Sequence, residues 1–454
     1  MPQPLYDQNM YRFAAPEPSF WEATPGDTAL AAEPLAGDEQ CEVAIIGGGY
    51  TGLSAAYHLC RDVAAEVRVL EAGHIGWGAS GRNGGFCSIG GSSLDMDAMI
   101  SRFGLEESRK YYQSQVEAVE LVREIITEEG IDTPLQGDAE LEVACSPKAF
   151  AELAVSAEKQ QRLFGLDSSV MSRDRFRERY FDCPQLHGAS ILRPTFGLHP
   201  LRYVRGLAAA AERRGAILHP ASEVIEWRRD GATHVLTTSG GSVRARYVVL
   251  ATNGFTPEHL LADLHGRTLP IISAIAVTRP MSDDELAAHA WQTESPAITS
   301  FDLLNYFRVL PDKRFMWGGR GSSSGAAAGA ARNFDKLLAG LQSTFPEWRD
   351  IAIEFRWHGL ICMTRRLTPA IGRLDDDPTV FFGFGYHGNG VNTATWSGKK
   401  IAEWLGHSRS DDAAVPVALP APVRGMSGRF PLPSLRLLYV QARVAMLRFT
   451  DWLK

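Results

Sequence analysis

The stretch from Cys41 to Glu71 limits what this chain can fold into more than any other. Val43–Ile46 is an unbroken apolar run of the kind a fully buried parallel strand shows. It enters Gly47-x-Gly49-x-x-Gly52, continues as an Ala/Leu-rich helical stretch to about Arg61, and reaches a second strand, Val67–Leu70. Gly47 permits a tight turn, Gly49 lets the backbone approach a pyrophosphate, and Gly52 allows the helix to pack on the strand. Tyr50 and Thr51 complete the turn, where a helix N-terminus directs N–H groups and partial positive charge toward a phosphate. Glu71 ends the second strand 19 residues after Gly52, close to the spacing of about 20 for the acid that binds ribose hydroxyls. Such an acid repels a 2′-phosphate. The order of strand, glycines, helix, strand and acid predicts a dinucleotide site of the non-phosphorylated type.

Beyond Glu71 and Ala72 the strand–helix alternation stops. Residues 72–87, AGHIGWGASGRNGGFC, form a glycine-rich loop in which Gly78, Ala79, Ser80, Arg82, Asn83, Gly84 and Gly85 offer backbone donors and a cation. Those groups suit a pyrophosphate and the polar edge of an isoalloxazine, so FAD is expected rather than NAD. A second glycine turn, GFGYHGNGV at 383–391, opens another helical stretch. Gly388, Asn389, Gly390 and Val391 would aim amides and a positive dipole end at the anionic part of a reduced flavin. His387 reads equally as a proton donor or ring contact and as a loop histidine held by hydrogen bonds.

Together these motifs resemble the D-amino-acid oxidase family of FAD enzymes, most of all its γ-glutamylputrescine oxidase-like subgroup. Leu198-His199-Pro200 before an apolar helix, Ser222-Glu223-Val224, and Tyr247–Gly254 with Ala251, Thr252 and Gly254 extend the resemblance, which spans about residues 40–408. The resemblance implies an α/β fold. A Rossmann-type FAD-binding domain (40–95, 181–265, 356–408) would be interleaved with an α+β substrate domain (96–180, 266–355) carrying a mostly antiparallel sheet. An N-terminal arm (1–39) and a linker with a C-terminal helix (409–454) would flank them. The implied reaction is oxidation of a C–N bond of an amine or amino acid, hydride passing to flavin N5 and the imine then hydrolysing. The substrate would be a γ-glutamylated polyamine, or alternatively a cyclic or N-methyl amino acid such as pipecolate, proline or sarcosine. Oxygen or a quinone would accept the electrons. Some relatives attach FAD through a cysteine in a segment comparable to that of Cys362, but the spacing to Pro369 does not match theirs, so FAD is expected to be non-covalent.

Candidate substrate contacts come from the rest of the chain. Tyr306 and Arg308 alternate on one predicted strand and so share a face. Arg320 would sit at a strand end, and Arg366 lies where the chain returns to the flavin. A guanidinium can grip a carboxylate bidentately, although each arginine alone also reads as a surface ion pair. Helices are expected near 107–129 and 150–164, and strands at 269–272, 274–278, 306–310 and 314–317 with a turn at Pro311-Asp312-Lys313. Residues 321–331 read as low complexity, 406–428 as a linker, and 435–454 as a helix docking on the body, a second copy or a membrane surface.

Composition removes other classes. A net charge of −7 without a basic block argues against nucleic-acid binding, and no run approaches the ~18 apolar residues of a membrane span. Met1–Gln40 lacks the apolar core of a signal peptide, so a cytoplasmic location is expected, with peripheral contact at the inner membrane face as the variant. Six widely spaced cysteines read as reduced thiols. No metal-ligand spacing and no nucleophile elbow appear, and composition sets no oligomeric state.

Overall fold

Val43–Ile46 are almost completely removed from solvent because strands flank them on both sides and helices cover them. In the computed structural model, which describes residues 5–322, 325–409, 417–442 and 446, this run lies inside the strand Glu39–Ile46. Glu39–Ile46 pairs in parallel with Ser242–Leu250 on one side and Val67–Leu70 on the other. Val380–Phe384 extends the sheet in parallel beyond Ser242–Leu250, Ile217–His219 extends it in parallel beyond Val67–Leu70, and Ala370–Arg373 closes one edge antiparallel. Helices Tyr50–Asp62, Pro200–Arg213 and Gly390–Arg409 bury Leu53, Leu201, Val204 and Ile401 in the same core as Val43 and Ile45. Each such buried side chain contributes roughly 1.5–3 kcal/mol. This is a Rossmann-type sheet.

The second sheet has eight strands in the order 353–364, 268–280, 314–320, 306–309, 297–299, 140–143, 188–193 and 167–172. All its pairs are antiparallel except Ala297–Thr299 with Glu140–Val143. One face, with Leu141, Val143, Ile191, Phe307, Phe315 and Trp317, packs on Phe181, Phe345, Trp348 and the helix Ala327–Thr344. The opposite face looks toward the first domain, where Ile275, Met316 and Trp357 join its core.

Most expected elements are found: helices at Leu105–Glu128 and Pro147–Phe164, and strands at Tyr306–Val309 and Arg314–Arg320. Three details differ. The two strands expected at 269–272 and 274–278 are one, Thr268–Pro280, because Ser273 continues the ladder between Gly359 and Arg320. Strands Gly188–Arg193 and Ile353–Thr364, which fall wholly or partly in spans assigned to FAD binding, pair in the second sheet. Residues 417–428, the later part of the expected linker, are tied to the first sheet: Ile371 N–H donates to the Val423 carbonyl and Gly425 N–H to the Ile371 carbonyl. Val423 is fully buried. In the expected low-complexity stretch, the helix begins at Ala327. Of the expected tail helix, residues 436–442 are helical, and most of the remainder lies outside the described residues.

The N-terminal arm crosses both domains. A short helix, Phe20–Ala23, is capped by Ser19, and its Trp21 is 1% exposed with the indole N–H donating to the Asn83 carbonyl at 2.9 Å. Among the described residues, no helix is long and apolar enough to cross a membrane.

Candidate active site

The first glycine turn is built to a tolerance that excludes side chains. Gly47 has φ +112°, and a Cβ there would meet the Ala251 carbonyl oxygen at 2.7 Å; at Gly52 it would lie 2.0 Å from the Gly47 carbonyl oxygen. Glu71 is pinned beside this turn, its carboxylate accepting from Gly48 N–H at 2.7 Å and Gly73 N–H at 2.9 Å. Burial raises its pKa, and the two amides oppose that. Ala72 follows between them, and Val224 packs beneath with Ile46 and Leu70.

The loop after Glu71 folds onto the same turn. Ala79–Arg82 forms a short helix preceded by Gly78, and Ser80 Oγ accepts from Tyr50 N–H at 3.0 Å. The Asn83 amide stitches the loop, donating to the Ala79 and Ser80 carbonyls and accepting from Gly85 N–H. Arg82 is 5% exposed, stacks 3.9 Å over Trp77, donates from Nε to the Trp77 carbonyl and pairs with Glu17 at 3.3 Å. Its Nη2 is buried without a partner.

The late glycine turn meets the early one. Thr51 Oγ1 and Tyr386 Oη are 2.6 Å apart, and Gly385 N–H donates to Asn253 Oδ1 beside Thr252 and Gly254. Gly388 follows at φ +94°, and the helix from Gly390 to Arg409 starts directly after Asn389. Asn389 Nδ2 donates to the Ser88 carbonyl at 2.7 Å, while Val391 is buried in the core. The structure therefore brings residues 47–52, 71–72, 78–85, 251–254 and 388–391 together. Two helix N-termini, a carboxylate at a strand end, glycines whose Cβ positions are filled, and an unpaired buried guanidinium nitrogen suit FAD.

His387 adopts φ +53° and is held on three sides. Its backbone N–H donates to the Cys362 carbonyl, Nε2 accepts from Thr364 N–H at 3.3 Å, and Nδ1 lies 2.9 Å from Ser93 Oγ. Burial, with Arg366 adding, lowers the imidazole pKa to about 3. Between that value and an unfolded value near 6.5 the unfolded chain holds a proton the folded chain lacks, so stability falls as pH is lowered through this window. His387→Asn is expected to flatten the profile there by about one proton, checked by thermal melts at successive pH values.

Tyr306 lies over Gly84 and Gly318, its hydroxyl 2.9 Å from Ser273 Oγ and its ring edge-on to Phe86. Arg308, on the same face, is 1% exposed and donates from Nε to the Gly84 carbonyl and from Nη2 to the Leu198 carbonyl, with Nη1 on Gln136 Oε1. Arg366 donates to the carbonyls of Pro369, Arg424 and Gly425 and to Thr368 Oγ1. These two guanidiniums bind protein oxygens. Arg320 ends its strand opposite Ser273, its carbonyl accepting from Asn333. Cys362 is 2% exposed, and burial pushes its thiol up to about 12.

Sequence reasoning missed several residues at this site. Glu17 and Trp21 come from an arm with no motif, and Ser88, Ser93 and Asn392 are single polar residues without a pattern. Glu140 and Glu142 did carry a signal: in Glu-Leu-Glu-Val the acids alternate with apolar residues and so occupy one strand face.

The family model for FAD-dependent oxidoreductases of the DAO type matches residues 42–404. The chain belongs to this family. It is 31% identical over 374 residues to γ-glutamylputrescine oxidoreductase of Escherichia coli K12, covering 80% of this chain and 83% of that one. It is 28% identical to the probable oxidoreductase OrdL of Rhizobium meliloti, covering 94% and 98% respectively. Among solved structures, glycine oxidase from Geobacillus kaustophilus superposes with a TM-score of 0.66 at 21% identity, covering 84% of this chain and 99% of that one. This DAO-family chain is thus an FAD-dependent oxidoreductase, with the interleaved α/β and antiparallel-sheet architecture of its structural neighbours.

Proposed function

We propose that this flavoenzyme oxidises the C–N bond of an amine, with a γ-glutamylated polyamine as the leading substrate. The observation that carries the proposal is the meeting of the two glycine turns beneath the Tyr306 face of the second sheet, in a chain similar over four-fifths of its length to a γ-glutamylputrescine oxidoreductase. Gly47–Gly52 and the helix from Tyr50 would hold the pyrophosphate and Glu71 the ribose, while the 78–85 loop and Gly388–Val391 would offer backbone donors to the flavin. Bound FAD supplies the acceptor for the two electrons of the C–N bond. Tyr306, fixed by Ser273, forms a wall that orients the substrate carbon. Burial of that wall disfavours the charged ammonium and so favours the free amine, whose lone pair drives oxidation. His387, held by Ser93 and Thr364, positions the late glycine turn.

Anaerobic mixing of the yellow protein with a panel of amines and amino acids tests the proposal. Loss of oxidised-flavin absorbance with γ-glutamylputrescine or a related polyamine is expected; bleaching only by proline, pipecolate or sarcosine would move the substrate. Non-covalent attachment is checked on the same sample. Acid precipitation is expected to leave the yellow colour in the supernatant, because Cys362 is buried and protonated.

A further inference from the structure

The strand Glu140–Val143 divides its side chains between two environments. Leu141 and Val143 enter the apolar face of the second sheet with Ile191 and Phe307, which leaves Glu140 and Glu142 on the face toward the FAD-binding domain. The register places Glu142 opposite Ile298, Ile298 opposite Tyr306, and Tyr306 opposite Gly318. Glu142 and Tyr306 thus stand in one row, two strands or about 10 Å apart. Ser88 lies close enough to Glu140 to oppose the effect of burial on its carboxyl. The Ser88 carbonyl in turn accepts from the side-chain amides of Asn389 and Asn392, at the start of the helix from Gly390. Glu140 therefore lies between the substrate-domain sheet and the late glycine turn, and Glu142 stands on the same sheet face, two residues along the strand.

Nothing among the described residues neutralises them. Among the described residues, no lysine, arginine or histidine pairs with either carboxylate, and Glu142 accepts no hydrogen bond. Asn392, fully buried beside Ser88, has an Oδ1 that finds no donor. Burial raises both carboxyls to about 7, with the Glu142 charge adding to the effect at Glu140. Uncompensated acids in such a place are costly, and a bound cation removes the cost. Meanwhile the Arg308 and Arg366 donors that would take a substrate carboxylate are committed to protein oxygens. Neither guanidinium on that side is left to pair with a substrate carboxylate.

We infer that Glu140 and Glu142 hold the substrate through a second, non-reacting ammonium nitrogen, so that the enzyme selects chain-like amines carrying two amino groups over α-amino acids held by their carboxylate. This rests on the amine-oxidation reading above and names the chemistry that gives it selectivity.

The test uses the full-length holoenzyme, its Glu140→Gln and Glu142→Gln variants, and four probes: 1,4-diaminobutane, its N-γ-glutamyl derivative, glycine and L-proline. The wild type is expected to be reduced anaerobically by the amines and not by glycine or proline. Each variant should need at least ~10-fold more amine for half-maximal reduction while the limiting rate changes far less. Glu142→Asp should recover part of the loss. The melting temperature shows that the variants fold, and it carries its own sign. A carboxyl raised toward 7 holds a proton in the folded state that the unfolded chain releases, so its contribution falls as pH rises through about 4.5 to 7. Both glutamine variants should therefore gain melting temperature relative to wild type above pH 7 more than near pH 5. Unchanged amine dependence in both variants, with the wild type still reduced by amines, would overturn the inference and leave the amine reading intact. Reduction by glycine or proline at lower concentrations than the amines would overturn it as well. No reduction by any of the four removes the amine reading and this inference together.

Discussion

Gly52→Ala is expected to yield a colourless protein. The added methyl would stand 2.0 Å from the Gly47 carbonyl oxygen, a backbone atom with no rotamer to escape into, and 3.1 Å from Ile45 Cγ2. Relief requires the Tyr50–Asp62 helix to move off the Glu39–Ile46 strand, which would take the helix N-terminus away from the phosphates it is proposed to bind. The expected loss of FAD affinity is at least ~100-fold, about 2.7 kcal/mol. The flavin-to-protein absorbance ratio after gel filtration measures it. Gly340→Ala is the matched control, because its nearest heavy atom would be at an ordinary 3.7 Å, and that variant should remain yellow. A yellow Gly52→Ala protein with normal flavin content would show that this turn does not bind the cofactor.

Arg308→Met is expected to destabilise the fold, not merely to weaken substrate binding. Its guanidinium, though burial lowers its pKa to about 9, links the Gly84 and Leu198 carbonyls and Gln136 across three separate segments. Removing it leaves three buried acceptors without donors, each costing roughly 1–3 kcal/mol, partly offset by relief of a buried charge. A net loss of about 3 kcal/mol, read from the denaturant midpoint at constant slope, is the expected result. If stability is unchanged and only the amine concentration for half-maximal reduction rises, Arg308 is a substrate ligand after all.

The glycine turns were legible because their chemistry demands residues that nothing else replaces. Gly47 needs its positive φ, Gly52 needs the absence of a side chain, and Glu71 needs its distance along the chain; all three are written locally. The family resemblance then supplied the interleaved architecture that local patterns cannot give. What the sequence hid was set by distant pairings. Arg308 and Arg366 looked available because an arginine's identity does not say whose carbonyls will surround it. The 417–428 segment looked like a linker by its prolines and serines, yet its backbone bonds to Ile371 on the edge strand. Residues 269–278 looked like two strands because Ser273 breaks the apolar run, whereas its position opposite Gly359 and Arg320 makes it part of a single ladder.

The contact between the first and last helices of the cofactor site also bears on how the protein is made. Gly398 lies so close to the Tyr50–Asp62 helix that a Cβ there would be 2.4 Å from the Thr51 carbonyl oxygen, and Ser54 Oγ donates to the Thr395 carbonyl at 2.6 Å. These partners are separated by more than three hundred residues of chain. At roughly 5–20 residues per second, a ribosome that has finished the first glycine turn needs tens of seconds to deliver the helix that closes over it. During that interval the emerging chain carries half a nucleotide pocket and an uncovered apolar helix face. If these helices form the cofactor site as proposed, FAD is expected to be captured only after the late helix has been synthesised.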